Sequence, residues 1–522
     1  MSISNPISNP ISNPISNPIS NPISKTYLFY DIETSGLSKP FDQVFQFAAI
    51  RTDLDLNILE RHEISIQLRP DLIPSPLASI THRISLKSLE TGISEYQAMR
   101  KIHELLNTPG TISLGYNTLT FDDEFLRFGF YRNLLSPYTH QYANQCSRMD
   151  LYPMTVMFHL FNQEKLNQEL NLKIPMKDGS ASFKLENISK LNQLAQGPAH
   201  NAMVDVEATL ELAKRLIKDK TIFNYLAGYF HKKTDEERQN KLPTVVLNLL
   251  NSQKEIQMGL LVLPKLGAKY FYQAPVLALG THQHYKNQTG WLRLDLPELQ
   301  KLKDLDLKDI KNIREHTFVI QKKFGEVGFL LPYQEKYFYK IKKERLALIQ
   351  DNLNFLIQNP AIFQLIQAYW TEFKYPLYPN TDIQAALYQS DFWTAPETRQ
   401  IQEFHNIFDL NNQTNNPKNN FNLLKNQLLK ISNPNLIALG ERILAREFFN
   451  LNLDLDKNKN KNFEDYLSAV FSLEAQARPL DYTGKLQYGL TDFQADFQAA
   501  QKLDLDAEQK ELLKELAERF AP

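Results

Sequence analysis

The residues best placed to do chemistry are two carboxylates one position apart. In the stretch Thr26–Gly36, TYLFYDIETSG, an apolar run rich in aromatics ends in Asp31 and Glu33, as a buried strand does when it reaches a functional edge. Side chains two apart on a strand leave the same face, so both acids project together, and paired hard oxygens suit a divalent cation. A single Asp-x-Glu is more often two solvated acids at a strand end. The elements around it have to decide.

The segments VFQFAAIRTD and ILERHEISIQL predict two further strands in an antiparallel meander with the first. A helix predicted from Lys87 to Leu106 then serves as the crossover that returns the strand TISLGYN beside Asp31. FDDEFLRFGFYRN predicts a helix whose Phe121, Phe125 and Phe128 bury one face. Asp122 falls in its first turn, where an acid also serves as a cap. Another helix is predicted from Asp150 to Phe161. After SFKLENISKLNQ, the loop QGPAHN opens the helix AMVDVEATLELAKRLI, with Asn201 as its N-cap, His200 just outside and Asp205 in the second turn. A mixed sheet flanked by helices, with acids at strand ends and helix starts, is an α/β architecture with its site beyond the strands' carboxyl ends.

The chain of 522 residues is too long for one core, and its formal net charge of -1 predicts neither a nucleic-acid coat nor a membrane protein as a whole. Cys146 is the one cysteine, which forbids an internal disulfide and a thiolate zinc cluster. With no long apolar run and no secretion-signal start, the expectation is a soluble, cytoplasmic protein. Residues 3–22 are five copies of ISNP, whose regular prolines forbid helix, and are expected to form a disordered tail without function.

Taken together, YDIET, GYNTLTFDDEF and AHNAMVDVEAT resemble the three exonuclease motifs of the DEDD superfamily, histidine branch. The resemblance implies metal binding by Asp31, Glu33, Asp122 and Asp205, with Asp123 the rival of Asp122 by one residue, and His200 as general base. Glu33 is implied in catalysis as well. Four converging acids suit two magnesium ions, with manganese able to substitute, because stabilising both the attacking and the leaving oxygen takes a pair of cations. QFAAIRTD, SLGYNTLTFDDEF with its YRN, and SFKLE carry the resemblance further, to the exodeoxyribonuclease I family, from about Tyr27 nearly to the end. It implies substrate contacts at Glu33, Phe183, Lys184, Arg127, Tyr138 and Tyr142. Lys184 stands where the family typically has arginine, which keeps the charge but not a bidentate phosphate grip. Tyr116 and Asn117 either support the site or are ordinary half-buried core.

The organisation expected is a tail (1–24), an α/β catalytic domain with a ribonuclease H-like mixed sheet (25–220), an SH3-like β-containing domain (221–373) and an α-helical C-terminal domain (374–522). KYFYKIKK, residues 336–343, interleaves cations with aromatics. It reads equally as a base-stacking surface and as the start of an amphipathic helix. The function implied is 3′ to 5′ hydrolysis of single-stranded DNA to 5′-mononucleotides in DNA repair and recombination. Single-stranded DNA and the single-stranded DNA-binding protein are the implied partners of a monomeric enzyme without membrane attachment. The alternatives are an RNA-trimming or proofreading member of the superfamily and a catalytically silent single-strand binder.

Overall fold

The computed structural model describes residues 24–162, 170–172, 182–197, 201–249, 252–411, 417–449 and 461–520. The ISNP repeat and His200 lie outside the described residues. Strands β1 (Thr26–Thr34), β2 (Val44–Thr52), β3 (Ile58–Ser65), β4 (Thr111–Gly115) and β5 (Ser147–Asp150) form a mixed sheet in the order β3-β2-β1-β4-β5. The predicted meander holds: β1 pairs antiparallel with β2, and β2 with β3. The predicted return of β4 also holds, parallel to β1 with Thr26 opposite Thr111 and Phe29 opposite Leu114.

Among the described residues, the helices around this sheet include α1 (Pro76–His82), α2 (Leu86–Leu89), α3 (Glu95–Asn107), α4 (Asp122–Arg132), α5 (Leu151–Phe161), α6 (Leu185–Asn192) and α7 (Ala202–Leu216). Helices α3 and α4 on one side and α7 on the other cover both faces of β1, which explains its unbroken apolar start. Leu28, Tyr30 and Ile32 pack with Ala98, Met99 and Ile102 of α3 and with Phe125 of α4. Phe29 packs on the other side with Val206, Leu210 and Ala213 of α7. Because strand side chains alternate, Asp31 and Glu33 share the face of Phe29 and leave toward α7.

Two sequence expectations are corrected. The helix predicted from Lys87 to Leu106 is broken into α2 and α3, because Ile93 bridges to Ile66 at the sheet and Gly92 passes against β3. A Cβ on Gly92 would come 2.6 Å from the Ser65 carbonyl oxygen, so the chain needs glycine there. Helix α4 buries more than one face, since it lies between the sheet and the C-terminal helices. Phe125, Leu126 and Phe130 join the sheet core, and Phe128 and Tyr131 join a cluster with Phe404, Phe408 and Leu439.

Further along, β6 (Thr244–Leu249), β7 (Ser252–Val262), β8 (Gln273–Thr281), β9 (Gln288–Arg293), β10 (Val319–Lys323) and β11 (Phe329–Pro332) make an antiparallel sheet. Its core holds fully buried Trp291 against Phe363 and Ile366 of the helix Pro360–Glu372. The C-terminal part is helical, from Ala395–Asn411 to Ala507–Phe520. The β-containing and helical regions thus follow the α/β sheet in the predicted order. Among the described residues no helix is long and apolar enough to cross a membrane.

Candidate metal centre and its neighbours

The acids meet at the carboxyl end of β1. One carboxylate oxygen each from Asp31, Glu33 and Asp205 lies within 4.8 Å of the others. Asp205 reaches them because Asn201 fixes the start of α7, its side chain accepting from the Val204 N–H at 3.3 Å. Asp122 arrives from the opposite direction. β1 runs past its last pairing with β4, and beyond it the Ile32 N–H donates to Asp122 Oδ1 at 3.2 Å. That bond satisfies a buried backbone donor and fixes the carboxylate beside the cluster.

The electrostatics are those of crowded anions. Burial, then Asp122, Glu33 and Asp205, push the Asp31 carboxyl well above its usual range. Burial, then Asp205 and Asp122, raise Glu33 to about 8. Asp122 is raised to about 8, mainly by burial and then Asp150, against two backbone N–H bonds that favour its charged form. Among the described residues, no cationic group is a leading influence on Asp31 or Glu33. Among the described residues the converging side chains offer only carboxylate oxygens, a donor set that fits a divalent metal of the hard class.

Asp122 and its neighbour Asp123 differ in their partners. Asp123 is spent on two arginines and a buried histidine: Arg127 at 2.6 Å, Arg148 at 2.5 Å and His140 at 2.8 Å. Although burial opposes it, Arg127 and Arg148 hold its carboxyl far below the usual range. It is a structural anchor, and Asp122 is the acid turned to β1.

The other predicted contacts are scattered in role. Arg127 does not face solvent; its buried guanidinium lies on Asp123 and Glu124. Tyr138 is half-buried beneath it, with the guanidinium carbon 5.6 Å from the ring centre, whereas Tyr142 is 69% exposed. Phe183 is buried against His159 and Tyr272, and its carbonyl accepts from the Tyr116 hydroxyl at 2.5 Å. Tyr116 thereby supports the segment that carries Lys184, which is exposed at the N-cap of α6. In KYFYKIKK, Tyr337, Phe338, Tyr339 and Ile341 pack on the catalytic core, and helix begins only at Lys343.

Sequence reasoning missed Asp150. It caps α5 through the Tyr152 N–H at 2.9 Å and also accepts from the Asn117 N–H at 2.9 Å and the Leu119 N–H at 3.1 Å. Asp150 therefore holds the loop between β4 and α4. Asn117 needs such help, since its φ of 69° is left-handed. The available signal was an acid at the very first position of the helix predicted from Asp150 to Phe161.

These features define a class of protein. Residues 28–213 match the exonuclease family, so this part of the chain is an exonuclease domain. The likeness runs on beyond it. Exodeoxyribonuclease I of Escherichia coli strain K12 is 29% identical over 392 residues, covering 71% of this chain and 77% of that one. The same enzyme of Buchnera aphidicola subsp. Baizongia pistaciae is 37% identical over 212 residues, 40% of this chain and 43% of its own length. The crystal structure of E. coli exonuclease I with a dA16 oligonucleotide superposes with a TM-score of 0.74 at 25% identity, covering 95% of this chain and 98% of that one. Over most of its length the chain is thus similar to exodeoxyribonuclease I.

Proposed function

We propose that this chain removes 5′-mononucleotides from the 3′ end of single-stranded DNA, with two magnesium ions at Asp31, Glu33, Asp122 and Asp205. The observation that carries the reading is the convergence of three carboxylate oxygens within 4.8 Å at the end of a central strand, beside a fourth acid fixed by that strand's own backbone. Such ions would stabilise charge on the attacking and leaving oxygens of the phosphodiester. Asp31, Glu33 and Asp205 hold their oxygens on one face of β1, and Asp122 is oriented by the Ile32 N–H. His200, one residue before the cap of α7, accepts the proton of the attacking water on a ring nitrogen, which suits an imidazole titrating near neutrality. Lys184, exposed at the start of α6, offers a cation to a phosphate. The relative crystallised with dA16 supports a single strand as substrate.

In this reading residues 25–220 are the catalytic domain, while 221–373 and 374–522 hold the strand. The enzyme works as a monomer, and the single-stranded DNA-binding protein is its partner. The test is digestion of 5′-labelled and 3′-labelled single-stranded DNA and RNA with and without magnesium. Ladders shortening from the 3′ end of DNA, only with the metal, are expected. Preferential digestion of RNA, or cleavage in a chelator, would overturn the reading.

A further inference from the structure

The turn between β10 and β11 reaches back to the helix that carries Asp122. Glu326 in this turn accepts from Arg148 Nη2 at 2.9 Å, and Arg148 Nη1 donates to Asp123 Oδ2 at 2.5 Å. The Arg148 and Asp123 side chains are 10% and 1% exposed, so this relay is screened from water along most of its length. The turn is itself immobilised. Buried Lys322 donates to Asp235 at 2.6 Å and to the Glu326 carbonyl at 3.3 Å, and Gly325 N–H donates to Asp235 at 2.9 Å. A turn of the second sheet, tied down at both Lys322 and Gly325, thus connects through Arg148 to the residue next to Asp122.

We propose that Glu326 is a positioning residue for the hydrolytic site, acting through Arg148 and Asp123 to fix the first turn of α4 and with it the Asp122 carboxylate. The assignment rests on the hydrolytic reading above. Arg148 presents a planar fork to two carboxylates, and losing one of them frees the guanidinium to turn about the other. Asp123 then loses a fixed partner, while His140 and Arg127 still hold it. The expected effect is therefore partial. Partners outside a metal's own ligands typically change its affinity by 10–100-fold, and for one more link out we expect about threefold to tenfold.

The experiment uses the full chain with Glu326→Ala, Glu326→Gln and the conservative Glu326→Asp. Metal-free protein is titrated with Mn²⁺ by calorimetry, and kcat and KM are measured on a deoxydinucleotide, which offers no strand beyond its single scissile bond. Weaker Mn²⁺ binding in Glu326→Ala and Glu326→Gln, a kcat lower by about tenfold with KM within about twofold, and partial recovery in Glu326→Asp are expected. Wild-type Mn²⁺ affinity and kcat in a variant whose melting temperature alone has fallen would reduce Glu326 to a domain contact and overturn the proposal. If the wild-type chain cleaves no DNA, the hydrolytic reading fails, and the Mn²⁺ titration still decides the relay. Should Glu326→Ala not fold, Glu326→Gln carries the same test.

Discussion

The exonuclease domain contains two buried acidic clusters that physics treats in opposite ways. Asp31, Glu33, Asp122 and Asp205 crowd one another with no cation among the described residues as a leading influence on Asp31 or Glu33, and Glu33 and Asp122 are raised to about 8, chiefly by burial. Some distance along the chain, Glu95 and Asp71 are just as buried but are enclosed by arginines. Glu95 meets Arg132 at 2.7 Å and Arg69 at 3.0 Å, and Asp71 meets Arg446 of the helix Pro434–Glu447 at 2.5 Å. Burial opposes ionisation of Glu95, yet Arg132 and Arg69 hold it down to about 2. The second cluster is complete as folded, and its arginines also bind the carbonyls of Pro40, Phe41 and Asp42 just beyond β1. The first gathers carboxylate oxygens close enough to share a cation from outside.

The hardest test of this contrast is to make the same kind of change in both. Asp31→Asn and Asp205→Asn should bring hydrolysis of single-stranded DNA to background. Their metal-free melting temperatures should hold or rise, because a like charge is removed. Glu95→Gln leaves two buried arginines without their shared anion, and removing one partner of a buried pair typically costs about 3–5 kcal/mol. Denaturant unfolding of the three variants checks both signs; loss of stability in Asp205→Asn matching that of Glu95→Gln would erase the distinction.

His200 sharpens the same comparison, since carboxylates assembled around a cation do not by themselves move a proton. Single-turnover cleavage by His200→Ala should slow by about a hundredfold to ten-thousandfold with Mn²⁺ affinity retained. An unchanged rate would mean that the water needs no protein base.

The smallest effect is one of pH. Glu33 and Asp122 have folded values near 8, above the ordinary carboxylate value of about 4. Their contribution to metal-free stability is full below about pH 4 and is lost as pH rises through about 8. Glu95, lowered to about 2, contributes above its ordinary value and loses that contribution as pH falls toward 2. Melting curves in chelator should therefore weaken on the alkaline side, and magnesium should raise the melting temperature more at pH 8.5 than at pH 5.5. An equal rise at both would place the metal away from the raised carboxylates.

How much of this could be read from the residues depended on whether a side chain's role is set locally. Asp31 and Glu33 are legible because strand parity alone puts both on one face, and Asn201 because helix caps follow local rules. Asp122 and Asp123 are not separable in sequence: either can begin a helix, and the partners that set them apart, His140 and Arg148, lie 17 and 25 residues away from Asp123. Arg127, expected on the substrate, is instead the i+4 partner of Asp123 on a buried helix. That spacing was visible, but the burial that gives it force was not. The break at Gly92 likewise follows from a neighbouring strand rather than from the helix's own residues.

The bond from the Ile32 N–H to Asp122 Oδ1 also gives the site a spectroscopic voice. An amide proton held by a carboxylate resonates at a frequency sensitive to that carboxylate's charge, and Ile32 sits between two of the acids whose occupancy matters. In a ¹⁵N-labelled sample its cross-peak should follow Asp122 through protonation and then report cation arrival without any substrate or product. The sheet's unfinished pairing thus provides a native reporter for watching the centre fill.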